Sequence, residues 1–262
     1  MSATSKTTPT FKYIYGPVAS WRLGSSLGID LLSGKLKRCC LDCRYCQLGP
    51  KKPSPTQRKV YVPTAKLIQE IKALPRVRID YITFSGSGEP TLASNLGECI
   101  KQIKKLRPEP IAVLTNSCLL YRKDVRRELS SADLVVAKLD VPSGAWLKLF
   151  NRPAGSVRFP QIFSGIRKLR REYPGRLAIQ IMFTAQNLSQ GPAIAKLVKD
   201  IRPDQVQICT PTRSATLKPL TRKDVFKIKK YFRGLGVLTL YDVRPKPVKP
   251  LSKKATQVRR PD

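Results

Sequence analysis

The chain has 262 residues, with 50 Lys and Arg against 17 Asp and Glu, a formal net charge of +33, seven cysteines and no histidine. The missing histidine excludes His-based acid–base chemistry and Ser–His triads, and a chain of this length can bury a core without disulfide staples. A balance this basic repels itself and attracts polyanions, nucleic acid first among them.

Residues 1–10 are rich in Ser and Thr and read as a flexible N-terminus. They lack the apolar stretch of a secretory signal, and no apolar run reaches the roughly 18 residues of a membrane span. The expectation is a cytoplasmic protein without a membrane partner, in a reducing compartment where clustered cysteines serve metals more often than disulfides. Short apolar runs rich in β-branched or aromatic residues then follow: "SLGIDLL" (26–32), "DYITFSG" (80–86), "IAVLTN" (111–116), "DLVVAKLD" (133–140), "LAIQIMFT" (177–184) and "QVQICT" (205–210). Helical patterns separate them, among them "TAKLIQEIKAL", "NLGECIKQIKKL", "QIFSGIRKLRREY" and "GPAIAKLVKDI". A last run, "GVLTLYDV" (236–243), adds an edge-strand candidate. Strands alternating with helices mean a parallel α/β sheet covered by helices, over one domain spanning 11–243. Six such units suit either a partial barrel or an open doubly wound sheet, and both put chemistry at the C-terminal strand ends. Lys and Arg recur in nearly every predicted helix, so the charge is spread over many sides. Residues 244–262, rich in Pro, Lys and Arg, read as a disordered or extended tail able to reach phosphate backbones.

The stretch "KRCCLDCRYCQLG" (37–49) follows the first strand and sets Cys39, Cys43 and Cys46 at C-x3-C-x2-C spacing. Three thiolates on one loop can hold three corners of a cubane iron–sulfur cluster and leave the fourth iron open; fully protein-ligated clusters take four. The other reading is a structural zinc site with Cys40 as fourth ligand. Adjacent Cys39 and Cys40 diverge in an extended segment, and no second C-x2-C knuckle exists, so spacing favours iron–sulfur. Lys37, Arg38 and Arg44 nearby are expected to favour the thiolate.

The pattern C-x3-C-x-aromatic-C, with Tyr45 before Cys46, resembles the signature of the radical S-adenosylmethionine (SAM) superfamily. The stretches "YGPVASWRLGSSLGIDL", "VRIDYITFSGSGEPTLASNLG", "VLTNSCLL", "VVAKLDVPSG" and "VQICTPTR" resemble one branch of it, the Fe–S oxidoreductases classed with the wyosine tRNA-modifying enzymes. The resemblance spans roughly residues 14–235. It implies a partial (β/α)6 barrel of the radical SAM type and a [4Fe–4S] cluster in the loop after the first strand. It implies further that SAM chelates the open iron. An external one-electron reductant such as flavodoxin or ferredoxin then drives cleavage to a 5′-deoxyadenosyl radical, which abstracts hydrogen. Carried over by position, Cys39, Cys43 and Cys46 would bind iron and Tyr45 would pack near the adenine or the cluster. The stretch Gly86, Ser87, Gly88 and Glu89 would receive the cofactor's ammonium, with Ser87 departing from the usual double glycine. Asn116 and Asp140, at the ends of the third and fourth strands, would bond the ribose or methionyl part, or else cap the following helices. Gln180 and Thr210 are weaker candidates for adenosine.

Lys138 shares the face of Asp140, and Cys118 and Cys209 fall at strand ends. These three are the weak candidates for a catalytic role; a rim cysteine could donate hydrogen or bind an auxiliary iron. Cys99 falls inside a helix and is expected to pack. Three functions follow as expectations: a radical SAM enzyme modifying RNA, tRNA in particular; a radical SAM enzyme acting on a small molecule or peptide; or a non-enzymatic zinc-bearing nucleic-acid-binding protein.

Overall fold

Alternation along each strand separates two surfaces of one sheet. The computed structural model describes residues 11–34, 36–213 and 217–261, so the reading of residues 1–10 lies outside the described residues. The strands are β1 (Ile14–Ser20), β2 (Gly24–Ile29), β3 (Tyr81–Phe84), β4 (Ile111–Thr115), β5 (Leu134–Lys138), β6 (Arg176–Met182), β7 (Gln205–Cys209) and β8 (Val237–Thr239). Among the described residues they form one eight-stranded sheet in sequential order. β1 runs antiparallel to β2, and β2 through β8 are parallel. A doubly wound sheet reverses its strand order partway; this one never does. The order therefore selects the partial barrel, with its open side between β1 and β8. The six expected strands are β2 to β7, and the edge candidate is β8.

β1 is an addition to the expected set. Gly16 and Pro17 interrupt "IYGPVAS", and proline has no N–H to give a ladder. An edge strand tolerates it, and the register slips between Tyr15 and Val18.

Outward positions such as Phe84, Val113, Val135 and Ile181 form the main core with α1 (Thr64–Lys72), α2 (Leu96–Lys104), α3 (Lys123–Leu129), α5 (Phe159–Glu172), α6 (Gly191–Ile201) and α7 (Arg222–Lys229). The short α4 (Gly144–Trp146) runs into a π-type turn, Leu147–Asn151. Inward positions build a smaller apolar floor from Leu23, Ala112, Leu134, Val136 and Ala178. Above it the inward residues turn polar: Ser26, Thr83, Lys138 and Gln180 face a cavity. Tyr15 fills the space above Gly28, where a Cβ would fall 2.1 Å from its ring.

The tail differs from the expectation of disorder. Leu251 N donates to Gly16 O at 2.6 Å, which covers the edge of β1. Helix α8 (Lys253–Arg259) follows, capped by Ser252, whose hydroxyl accepts from Ala255 N at 3.1 Å. Thr256 accepts from Gly16 N at 3.0 Å. The Arg259 guanidinium enters the protein, where its Nε meets Asp30 Oδ2 at 3.0 Å and one terminal nitrogen reaches Lys12 O and Ser33 Oγ at 2.6 Å each. The polar composition that suggested disorder is what docks this helix, through hydrogen bonds and one ion pair in place of an apolar stripe.

Arg259 and Asp30 are both buried, so Arg259→Ala leaves an unpaired buried carboxylate, at a cost of about 3–5 kcal/mol. The expected result is a fall in Tm of roughly 10 °C by circular dichroism, and a similar fall when residues 253–262 are removed. An unchanged Tm would mean that the helix is not docked.

Candidate functional site

A cavity of about 350 Å³ lies at the C-terminal strand ends, lined by the cysteine loop, the ends of β3 to β7, the β1–β2 turn and the end of α8. The loop after β2 is fastened to the end of β3 by its backbone. Arg38 N donates to Ser87 O, and Glu89 N donates to Arg38 O, both at 2.9 Å. A Cβ on Gly88 would lie 1.6 Å from Arg38 O, so only glycine permits this approach. Gly86 has φ +128°, and a side chain there would strike Asp30. Ser87 Oγ donates to Asp30 Oδ2 at 2.6 Å, which ties the same stretch to the Arg259 ion pair.

Cys39, Cys43 and Cys46 line the cavity, whereas Cys40 is fully buried and does not. Cys40 packs against Asn116, 3.7 Å from its Oδ1. Amide donors aim at the facing sulfurs: Asn116 Nδ2 lies 3.3 Å from Cys39 Sγ, and Asn151 Nδ2 lies 3.2 Å from Cys43 Sγ. Lys37 sets its charge beside Cys46. Among the described residues no three His, Cys, Asp or Glu side chains gather closely enough to share one metal ion. A cubane instead spreads its thiolates over separate irons. Three facing sulfurs supplied with N–H donors fit such a cluster, with Cys40 excluded. Of the flanking cations, Lys37 gives the expected help, to Cys46. Arg38 lies over the Tyr61 ring at 4.7 Å. Burial pushes the Cys39 and Cys43 thiols up, and for Cys39 the neighbouring Cys40, Cys43 and Glu89 add to it.

Glu89 is buried at the junction of β3 and β4. Its Oε1 accepts from Thr91 N at 3.0 Å, Thr91 Oγ1 at 2.6 Å and Thr115 Oγ1 at 2.7 Å, and its Oε2 from Asn116 N at 2.6 Å. Burial raises its carboxyl pKa although these donors pull it down. Asn116, expected to bond ribose or methionine, lines the cavity, and its side chain turns to Cys39, Cys40 and Cys118 N.

Asp140 also departs from its expected place. It does not line the cavity. Its Oδ1 accepts from Met182 N at 2.8 Å, and its Oδ2 takes the Tyr45 hydroxyl and, at 3.1 Å, Asn151 Nδ2. Tyr45 stands between it and the cavity, its ring 5.3 Å from that of Phe150. Lys138 lies 4.7 Å over the Tyr45 ring and donates to its hydroxyl at 3.2 Å. Burial alone would depress Lys138, but Asp140, Cys43 and Cys209 carry it above its ordinary value.

Cys118 is buried outside the cavity beside Cys40, which removes it from the reactive rim. Cys209 does line the cavity, with Gln180 Nε2 3.1 Å from its sulfur. Gln180 and Thr210 line it as well, and Thr210 Oγ1 accepts from Leu220 N at 2.8 Å. Cys99 packs inside α2, as expected. Sequence reasoning passed over Asp30, Asn151, Arg22, Arg259 and Arg260. A lone acid or amide and three more arginines among many give no local signal.

A family model described as the Radical SAM superfamily matches residues 35–198. The chain is 42% identical over 223 residues to the UPF0026 protein slr1464 of Synechocystis sp., covering 82% of this chain and 80% of that protein. Its fold is similar to that of TYW1 with a lysine–pyruvate adduct bound, with a TM-score of 0.61 at 15% identity over 80% of this chain and 74% of that one. It is similar also to native anSMEcpe with bound AdoMet, with a TM-score of 0.59 at 18% identity over 82% of this chain and 64% of that one.

Each Glu89 oxygen faces one backbone N–H that cannot turn round. Glu89→Gln therefore sets an NH2 against an N–H in either orientation, costing about 3 kcal/mol. Thermal unfolding of the purified variant is expected to show a Tm roughly 8 °C lower; a Tm equal to wild type would contradict the hydrogen-bond pattern.

Proposed function

The chain belongs to the radical SAM superfamily, and from that premise we propose that it abstracts a hydrogen atom from a nucleotide of RNA, of the tRNA class. It is a radical SAM enzyme that uses a [4Fe–4S] cluster and SAM. The observation that carries the site assignment is the orientation of one loop: three cysteines face the cavity and the fourth turns away. When bound, the reduced cluster supplies the electron that splits SAM into methionine and the 5′-deoxyadenosyl radical. Everything else falls to the chain. Cys39, Cys43 and Cys46 would hold the irons, while Asn116 and Asn151 donate to the sulfurs of Cys39 and Cys43. The backbone of Gly86 and Ser87, held by Asp30, would receive the cofactor's ammonium. Tyr45, fixed by Asp140 and Lys138, would form the wall behind the cluster. An external one-electron donor of the flavodoxin or ferredoxin kind would supply the electron.

Charge supports RNA as the partner. Seventeen acidic side chains cannot neutralise 50 cations, and Lys196, Lys199, Arg222, Lys223 and Lys227 stand exposed on the outer helices. Such contacts position a phosphate backbone without choosing a sequence. The nucleotide to be modified has to leave its stack to enter the cavity, so an exposed loop suits the site better than a continuous duplex.

Anaerobically purified protein tests both parts. Ala at Cys39, Cys43 or Cys46 is expected to abolish the cluster's visible absorbance, and Cys40→Ala to keep most of it. With dithionite and SAM the wild type is expected to release 5′-deoxyadenosine, and tRNA to raise that release. It should also bind tRNA with a steep inverse dependence on salt. Full occupancy in Cys43→Ala would defeat the ligand assignment. If tRNA bound no tighter than an unrelated duplex and did not stimulate release, RNA would give way to a small molecule or peptide.

A further inference from the structure

The acids Glu89, Asp140 and Asp30 are buried around the cavity, and each is already engaged. Glu89 has its four donors, Asp140 is held by Tyr45, Asn151 and Met182 N, and Asp30 by Arg259, Ser87 and Leu32 N. Two arginines on the same cavity have no such partner. Arg22, in the β1–β2 turn, and Arg260, just after α8, both line it. Among the described residues neither guanidinium meets a carboxylate or any other hydrogen-bond acceptor, and the Arg22 Nε is buried with nothing to donate to. The charged and titratable groups that face Arg22 are Cys209, Arg260 and Tyr15. Arg22 and Arg260 therefore repel one another across the cavity, and burial holds both below their ordinary range.

A folded chain does not keep two half-buried, unpaired guanidiniums without cost. Neither is placed by accident of a loose terminus. Arg22 lies between Trp21, whose ring it meets at 5.3 Å, and Leu23 of the apolar floor. Arg260 follows directly on Arg259, whose side chain is locked to Asp30 and whose carbonyl accepts from Gln47 Nε2 at 2.9 Å. Gln47 adjoins Cys46, so the cysteine loop and the anchored helix end are joined where Arg260 enters. Guanidinium forks match the oxygens of phosphate, and Trp21 adds an aromatic face beside them of the kind on which bases stack.

We infer that Arg22 and Arg260 form an oxyanion-binding wall of the cavity, which takes a phosphate group of the substrate. The inference rests on the function proposed above and narrows it: the phosphate is either a phosphodiester of RNA or the phosphate of a free nucleotide. The docked C-terminal helix is then part of the substrate site.

The test uses full-length, cluster-loaded protein saturated with SAM, so that the adenosine part of the cavity is filled. Uridine 5′-monophosphate, uridine and unfractionated tRNA are titrated by calorimetry against wild type, Arg22→Gln, Arg260→Gln and Arg22→Lys. At least one phosphate-bearing probe is expected to bind wild type, and each Gln variant to weaken it about tenfold, with Arg22→Lys in between. Uridine is expected to bind at least tenfold more weakly than its monophosphate if free nucleotide is the source. The Tm of ligand-free Arg22→Gln is expected to equal or exceed wild type, because an unpaired charge has been removed; this separates a ligand-binding arginine from a structural one. Weakened tRNA binding with no monophosphate binding assigns the RNA backbone. Weakened monophosphate binding with no tRNA binding keeps the oxyanion wall and removes the RNA reading. If no phosphate probe binds wild type, if the variants bind all probes equally well, or if they lose SAM affinity in place of phosphate affinity, the inference is overturned. Wild-type tRNA binding that the variants share in full would leave the RNA proposal standing alone.

Discussion

The carboxylate of Glu89 is buried, and donors from the protein take the place of solvent around it. Its two oxygens accept from Thr91, Thr115 and the Asn116 backbone. The ends of β3 and β4 are thereby fixed relative to each other. The consequences run outward in two directions. Through its own N–H, Glu89 pairs with Arg38 and holds the cysteine loop. Through Asn116 it directs a side-chain amide at Cys39 and Cys40. The position of the sulfurs is thus set by strand ends, which are rigid, although the cysteines themselves sit in a loop. Rigid support of this kind keeps an assembled site from costing much order when it fills.

The same device is used twice more. Asp30 joins Ser87 to the C-terminal helix through Arg259, and Asp140 joins Tyr45 to Asn151 and the end of β6. A chain with 17 acids against 50 bases spends three of them here. Each is saturated by donors from the protein, and each buried acid left incompletely bonded would be strongly destabilising. Because these acids are occupied, they leave Arg22 and Arg260 on the cavity wall unpaired among the described residues. The electrostatic character of the cavity follows: acids hold the scaffold, and cations remain for what enters.

Much of this was legible in the amino-acid order. Strands β2 to β7 are apolar runs between helices, and their outward residues carry a continuous apolar signal. The three facing cysteines were marked by spacing and the glycines at 86 and 88 by the family resemblance, and the close approach to Arg38 explains why glycine is needed at 88. What escaped was long-range and polar. β1 hides behind a Gly-Pro pair. Helix α8 has no apolar stripe, and its anchor, Arg259 to Asp30, spans almost the whole chain. Asp140 and Asn116 were placed at the right strand ends, but the direction of a side chain at a strand end depends on partners that the local pattern does not contain. Tyr45 and Asn151 supply those partners from the loop and from the π-type turn.

The central claim is that three cysteines leave one iron open to SAM. Electron paramagnetic resonance of the dithionite-reduced protein, recorded before and after addition of SAM, tests it most directly. With a cluster held by Cys39, Cys43 and Cys46 alone, the account predicts that SAM changes the signal, and that SAM carrying 15N in its amino group adds a hyperfine coupling to nitrogen. An unaltered spectrum in protein that carries a full cluster and binds SAM would contradict it.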